Sequence, residues 1–373
     1  MEKLAIQLEV VTPLFMAGAN QGGPPELRAA SLKGLLRFWY RAIYPNDFTG
    51  EQEVFGAMGA RSPVKLAVTP VRPIVGQARS PDLQAYSYLG YGLINYDKQS
   101  RNFLTTRQYL KPGSIFAVTV TFSPRLTEAA KEKVIRAFYA LAMLGGLGAR
   151  SRRGFGAFAV TSVSCPLPLN FQPADVKTFR DDLKAFLNTI AKGTGAAAYS
   201  CFSTKSLVLV GNPMNDGMQI LGRLNSLLQK NRSYYEVFPD KPKTSGIPKD
   251  DHDLMFDFLT NPAFTPPTAP QRAIFGLPHN YFFRAGQRKV AADLMEGSTK
   301  GRRSSPLFLH VQRLADGQAC AVAAVLPARF LPPGKQVTLS AEGGRTINVN
   351  PPGYKAMVDF LNVLLQQGAQ RVL

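Results

Sequence analysis

The sequence predicts an α+β fold of two ferredoxin-like (RRM-like) domains with insertions, the second irregular, and three observations carry that prediction. The chain's 373 residues exceed what a single hydrophobic core usually organises. Apolar side chains alternate with period two in short runs, and these are separated by stretches of helical period. In the first half the runs fall in the order β-α-β-β-α-β, the connectivity of a split βαβ motif. The domains expected are 1–165, with an insert at about 72–112, and 166–373, with a mobile insertion at about 233–273.

In "KLAIQLEVV", Leu4, Ile6, Leu8 and Val10 alternate with Lys3, Gln7 and Glu9, the pattern of a half-buried strand. After a Gly- and Pro-rich loop, Leu32, Leu35, Leu36, Trp39 and Ile43 share one face of a helix with Ser31 as its expected N-cap. Trp39 therefore reads as core. Strands follow at Val64, Leu66 and Val68 and at Phe116, Val118, Val120 and Phe122. A second helix, "TEAAKEKVIRAFYALAML", places Val134, Phe138 and Leu141 on one face. Thr127 is its expected N-cap, and Gly145 or Gly146 its left-handed C-cap. "FGAFAVTSV" supplies the last strand of this unit.

Between the second and third strands, the insert carries Tyr86, Tyr88, Tyr91, Tyr96 and Tyr109. A loop of that length implies a task of its own, either stacking on bases or packing against a neighbouring subunit. In the second half, "FRDDLKAFLNTI" and "MQILGRLNSLLQK" read as helices around a strand, "KSLVLVG". A Pro-rich irregular stretch follows, then paired strands in "SPLFLHVQRL" and "ACAVAAVLPARF" and a last helix, "YKAMVDFLNVLLQ". The fourth strand of this unit is expected to be short or supplied from elsewhere.

Charge narrows the function. Lys and Arg total 44 against 25 Asp and Glu, for a net charge of +19. The excess is spread over both halves, so a polyanion such as nucleic acid is the expected partner. Cys165, Cys201 and Cys320 are too few and too scattered for a disulfide framework or a zinc site, which fits a cytoplasmic protein. No apolar run reaches bilayer length and the N-terminus lacks a signal-peptide pattern, so no membrane partner is expected.

The stretch "LGGLGARSRRGFGAF" (144–158) resembles a nucleotide-binding glycine loop only superficially. Dinucleotide loops run from strand to helix, so that a helix N-terminus meets the pyrophosphate. Here a helix precedes the glycines and a strand follows, so no nucleotide cofactor is expected; nor is a metal. What remains is a strand-binding turn. Gly146, Gly148, Gly154 and Gly156 would let an RNA backbone approach closely, while Arg150, Arg152 and Arg153 would meet its phosphates. On the first helix Lys33, Arg37 and Arg41 recur every four residues, with Arg28 just upstream and no acid in 27–46. That stripe is either a second RNA-binding surface or a solvated face. Arg302 and Arg303 in "GRRSSPL" form a further patch.

The helix in "ELRAASLKGLLRFWYRAIY" together with "GGLGARSRRGFG" resembles the RAMP superfamily of CRISPR proteins. "RSRRGFG", "FGLPH" and "RRSSPL" are similar to the subgroup of first-numbered RAMP subunits of type III-B (Cmr) effector complexes. The resemblance implies two ferredoxin-like domains in a non-catalytic, RNA-binding subunit that caps one end of a filament. It implies contact with guide RNA (crRNA) near its 3′ end, with the 5′ part of target RNA, and with other Cmr subunits. The alternative is a metal-independent endoribonuclease that processes CRISPR repeat RNA, with His279 or a tyrosine as general acid/base. Against it, the first half holds no histidine. His252, His279 and His310 lie in separate segments, and RNA contact or packing is the expected role of His279.

Overall fold

Nine residues, Glu2–Val10, form the first strand (β1), and every second side chain from Leu4 onward is buried. A computed structural model describes residues 2–193, 197–236, 241–283, 286 and 288–373. After β1 come α1 (Ala29–Ile43), α2 (Phe48–Phe55), β2 (Val64–Arg72), β3 (Ile115–Phe122), α3 (Glu128–Leu144) and β4 (Phe158–Val163). The four strands make an antiparallel sheet in the order β2-β3-β1-β4, with Leu4 opposite Val120 and Leu8 opposite Val160. One face of β1 and β3 packs on α1 and α3, and the alternation read from the sequence follows from that one-sided burial.

The helix ends differ in part from expectation. Thr127 caps α3 by accepting from the Ala130 N–H at 3.2 Å. Ser31 does not cap α1, because the Leu32 N–H already donates to Arg28 O at 3.0 Å and places Ser31 inside the first turn. Gly145 closes α3 with extended rather than left-handed backbone (φ −107°). Close approach is what demands glycine there: a Cβ would lie 2.6 Å from the Trp39 indole nitrogen and 2.8 Å from Leu141 O.

The second half contributes α4 (Val176–Asn188), β5 (Leu207–Met214), α5 (Gly217–Arg232), α6 (Ile247–Thr260), β6 (His279–Phe283) and β7 (Arg288–Glu296). It continues with β8 (Leu307–Arg313), β9 (Ala319–Val325), β10 (Val337–Ala341), β11 (Thr346–Val349), α7 (Lys355–Gln366) and β12 (Gln370–Arg371). One sheet runs β8-β9-β5-β12, so its fourth strand is the chain's own, only two residues long. Its side chains are buried on both faces: Phe308, Cys320 and Val322 enter one core, Leu309, Val311 and Ala323 the other. That explains the near-continuous small and apolar run "ACAVAAV". A further sheet, β6-β7-β10-β11, is built from segments whose sequence pattern predicted no strand.

The stretch 233–273, expected to be an irregular, mobile insertion, contains α6, with Met255 and Phe258 buried; residues 237–240 lie outside the described residues. Pro248 sits in its first turn, where a missing N–H costs nothing, so the prolines punctuate a helix rather than prevent one. "DDHD" (250–253) therefore lies on a helix and not in a loop. In the 72–112 insert, Tyr109 is buried, Tyr86 and Tyr88 are half-buried, and Tyr91 and Tyr96 are exposed. Each of the two apolar cores draws side chains from both sides of residue 165.

Candidate nucleic-acid interface

The glycine loop is fixed by its own chain. Ala149 N donates to Phe15 O (2.8 Å), Gly156 N to Pro13 O (3.0 Å), and the buried Thr12 hydroxyl to Gly154 O (2.6 Å). On its other side Leu309 N, in β8, donates to Arg152 O at 3.0 Å. Gly148 (φ 73°), Gly154 (φ 81°) and Gly156 (φ 65°) are left-handed, where an L side chain is strained. A Cβ on Gly148 would lie 2.5 Å from Phe15 O, and one on Gly156 1.9 Å from Leu147 O. At Gly146 it would meet Phe155 O at 2.9 Å, and at Gly154 the Leu221 side chain at 2.9 Å. At all four positions the place of a Cβ is taken by the protein itself.

The loop arginines differ from one another. Arg150 is itself left-handed (φ 60°), a conformation costing a non-glycine residue about 1–2 kcal/mol, and its guanidinium donates to Tyr91 O. Arg152 donates to Ser305 O at 2.5 Å and lies 4.4 Å over the Phe308 ring and 5.2 Å over Phe38; burial, then Arg303, lowers its pKa to about 10. Arg153 has no side-chain hydrogen bond and no ion pair among the described residues. Its pKa is lowered to about 9 by burial and then by the charges of Arg232 and Arg150.

Three separated segments meet at this place. Gly276 and Leu277 of "FGLPH" pair with Ser304 and Arg303 of "RRSSPL" as a two-stranded antiparallel ladder. Arg302 is exposed and acts on Arg150, whose pKa burial and then this neighbour lower. Arg303 donates to Arg329 O at 3.0 Å, and its Nε is buried without a partner. Two further arginines join them, Arg232 and Arg272, which sequence reasoning missed. Arg232 ends α5 and continues the buried Leu224–Leu228 row at the four-residue spacing, a signal legible in the sequence. Arg272 forms an ion pair with the buried Asp251 at 2.9 Å.

His279 Nε2 stands 3.4 Å from Arg232 Nη2. A guanidinium only donates, so Nε2 accepts and the proton sits on Nδ1, which is buried without a partner. Burial, then Arg232, Arg272 and Arg153, hold the ring's pKa well below the usual histidine value. His310 is core: Nδ1 lies 2.5 Å from Gly145 O, and burial lowers its pKa to about 4. His252 stacks on Tyr234 with centroids 3.8 Å apart.

The helix stripe is not part of this cluster. Arg37 and Arg41 both pair with Glu51 on α2, whose side chain is 3% exposed. Lys33 donates to Val64 O at 3.1 Å, and Arg28 sits 3.6 Å from Glu26. The acid missing from 27–46 is supplied by the next helix.

The sequence model of the RAMP superfamily matches residues 7–159, and the chain belongs to that superfamily. Within it, the chain is 28% identical over 329 residues to CRISPR system Cmr subunit Cmr1-1 of Pyrococcus furiosus, covering 82% of each. It is 30% identical over 187 residues to Cmr1-2 of the same organism, covering 43% of this chain and 96% of that one. The fold resembles the apo crystal structure of Cmr1 from Pyrococcus furiosus (TM-score 0.60, 21% identity), covering 100% of this chain and 99% of that one. It also resembles a chain of the type III-B Cmr-beta complex bound to cognate target RNA and AMPPnP (TM-score 0.52, 12% identity; 97% and 98% covered).

Proposed function

We propose that this chain is a non-catalytic, RNA-binding subunit of a type III-B CRISPR effector complex in the cytoplasm. In this reading its two halves are both ferredoxin-like units, and it caps the filament near the guide RNA 3′ end, contacts other Cmr subunits and helps capture target RNA. The observation that carries the reading is the convergence of Arg150, Arg153, Arg232, Arg302 and Arg303 from separate segments, with Arg153 left without a carboxylate partner among the described residues. Guanidinium forks in that state suit phosphate oxygens. The kinship with Cmr1 proteins supplies the assembly.

His279 is poorly suited to endonuclease chemistry. A proton carrier works best with a pKa near the operating pH, and burial, then the neighbouring arginines, hold this ring's pKa well below the usual histidine value. Incubating the protein with labelled repeat RNA in EDTA, and in parallel with Cmr subunits and guide RNA, tests the reading. Retained, uncleaved RNA and co-assembly are expected. Cleavage in EDTA would overturn the non-catalytic role, and absent RNA retention would overturn the RNA role.

A further inference from the structure

Beside the C-terminal end of β5 a cleft opens between α5 and α7. Its cause is the short fourth strand: β12 pairs only with Leu209 and Val210, so Gly211–Met214 runs on without that neighbour. Its apolar lining is aliphatic, with Met214, Ile220, Leu224, Leu227 and Leu364. Asn212, Arg223 and Gln367, all exposed, supply its polar groups. The free space is about 180 Å³, less than the ~300–1,000 Å³ of pockets that enclose a drug-sized molecule and close to the ~150 Å³ apolar cavity that takes one benzene. One leucine- or phenylalanine-sized side chain fits. Apolar surface continues along one face of α7, where Val358 is 41% exposed and Leu365 40%.

Three arginines at this end of the sheet have no carboxylate. Arg223 donates to Gln367 Oε1 at 2.9 Å. Arg180 donates to Gly211 O at 3.1 Å and to Asn212 Oδ1 at 3.2 Å, both in lining residues, and its Nε is buried without a partner. Arg371, exposed and two residues past Ala369 of the lining, donates to Leu373 O at 2.8 Å. None of the three forms an ion pair among the described residues. The acids of the two flanking helices are spent: Asp216 accepts from the Met218 and Gln219 N–H groups that open α5, and Asp359 of α7 pairs with Lys355.

We propose that this cleft seats one apolar side chain of an acidic segment in a partner protein, whose flanking carboxylates the arginines pair. Guanidinium forks match carboxylate oxygens two by two. A second copy of this chain is a poor occupant, since its net charge is +19. So is RNA: single-stranded bases stack on aromatic rings, and none lines the cleft. The arginines of the RNA reading take no part, so the proposal stands apart from that reading.

The test follows the methyl signal of Met214, assigned by its loss in Met214→Leu, in full-length protein labelled at the methionine methyls. The probe is the capped peptide Asp-Glu-Leu-Glu-Asp, compared with Asp-Glu-Ser-Glu-Asp, Lys-Lys-Leu-Lys-Lys and a uridine oligonucleotide. A saturable shift is expected with the acidic leucine peptide, and affinity about tenfold weaker when serine replaces leucine. The lysine peptide and the oligonucleotide should leave the signal in place. Arg223→Glu should weaken binding of the acidic peptide several-fold, while the other methionine signals confirm that the variant is folded. Equal affinity for the serine peptide would overturn the apolar seat, and equal affinity for the lysine peptide would overturn the charge match. A shift with the oligonucleotide alone would make the occupant RNA and overturn the proposal, as would a signal that no probe moves.

Discussion

Replacing Arg150, Arg153 and Arg302 together by alanine should flatten the salt dependence of RNA binding. These three are chosen over the sequence-defined trio because Arg152 is already engaged: it donates to Ser305 O and lies over two aromatic rings. Arg302 is exposed, and Arg150 and Arg153 keep part of their surface open. Each phosphate contact on a single strand contributes about −0.7 to the log–log salt slope, so losing three should reduce its magnitude by about 2 units. Over a fourfold rise in salt, the wild type should then lose about twenty-fold more affinity than the variant does. Fluorescence anisotropy with two unrelated RNAs across a salt series reads this directly. Both RNAs should respond alike, because phosphate contacts position a strand without reading its bases. An unchanged slope would mean that these arginines face solvent or a protein neighbour, and the argument would fail.

Arg37→Ala with Arg41→Ala should strip the buried Glu51 of its recorded partners and cost about 1–3 kcal/mol in denaturant unfolding, with the RNA salt slope unmoved. A flattened slope without destabilisation would return the helix stripe to the RNA face. Gly148→Ala should destabilise by about 1–3 kcal/mol, since φ is 73° and Phe15 O blocks the Cβ; a midpoint equal to wild type refutes that packing. His310, lowered from 6.5 to about 4, leaves the unfolded chain binding a proton that the native state refuses between those values. Stability should therefore fall as pH drops from 6.5 to 4, by about 3 kcal/mol from this residue. His310→Gln should remove that share of the slope, and parallel pH profiles would contradict it.

The first sheet was legible because it is buried on one face: Leu4 to Val10 and Phe116 to Phe122 carry the period-two signal that one-sided burial imposes. The sheet of β6, β7, β10 and β11 was not: β6 pairs with its neighbour β7 and β10 with its neighbour β11, but the two pairs are joined only by the long-range pairing of β7 with β10 across β8 and β9. At the site, "RSRRGFG", "FGLPH" and "RRSSPL" stood out one by one, but only folding brings them to one place. Arg232 was hidden in an ordinary amphipathic helix, and its position on the leucine row was the signal that mattered. The ion pairs of the Lys33, Arg37 and Arg41 stripe were not legible, because an acid-free window in sequence says nothing about Glu51, which folds back onto Arg37 and Arg41. The packing against the glycines was not legible either: backbone of Phe15, Leu147 and Phe155 meets Gly148, Gly156 and Gly146, and the Leu221 side chain meets Gly154.

The most direct test of the central claim is ultraviolet crosslinking of the effector complex co-purified with its RNA, followed by mass spectrometry of this chain's peptides. Crosslinks should concentrate in 144–158 and in the 275–279 and 302–305 segments that fold against it. Crosslinks confined to 28–41, or RNA adducts absent from this chain in a complex whose other subunits are labelled, would contradict the account.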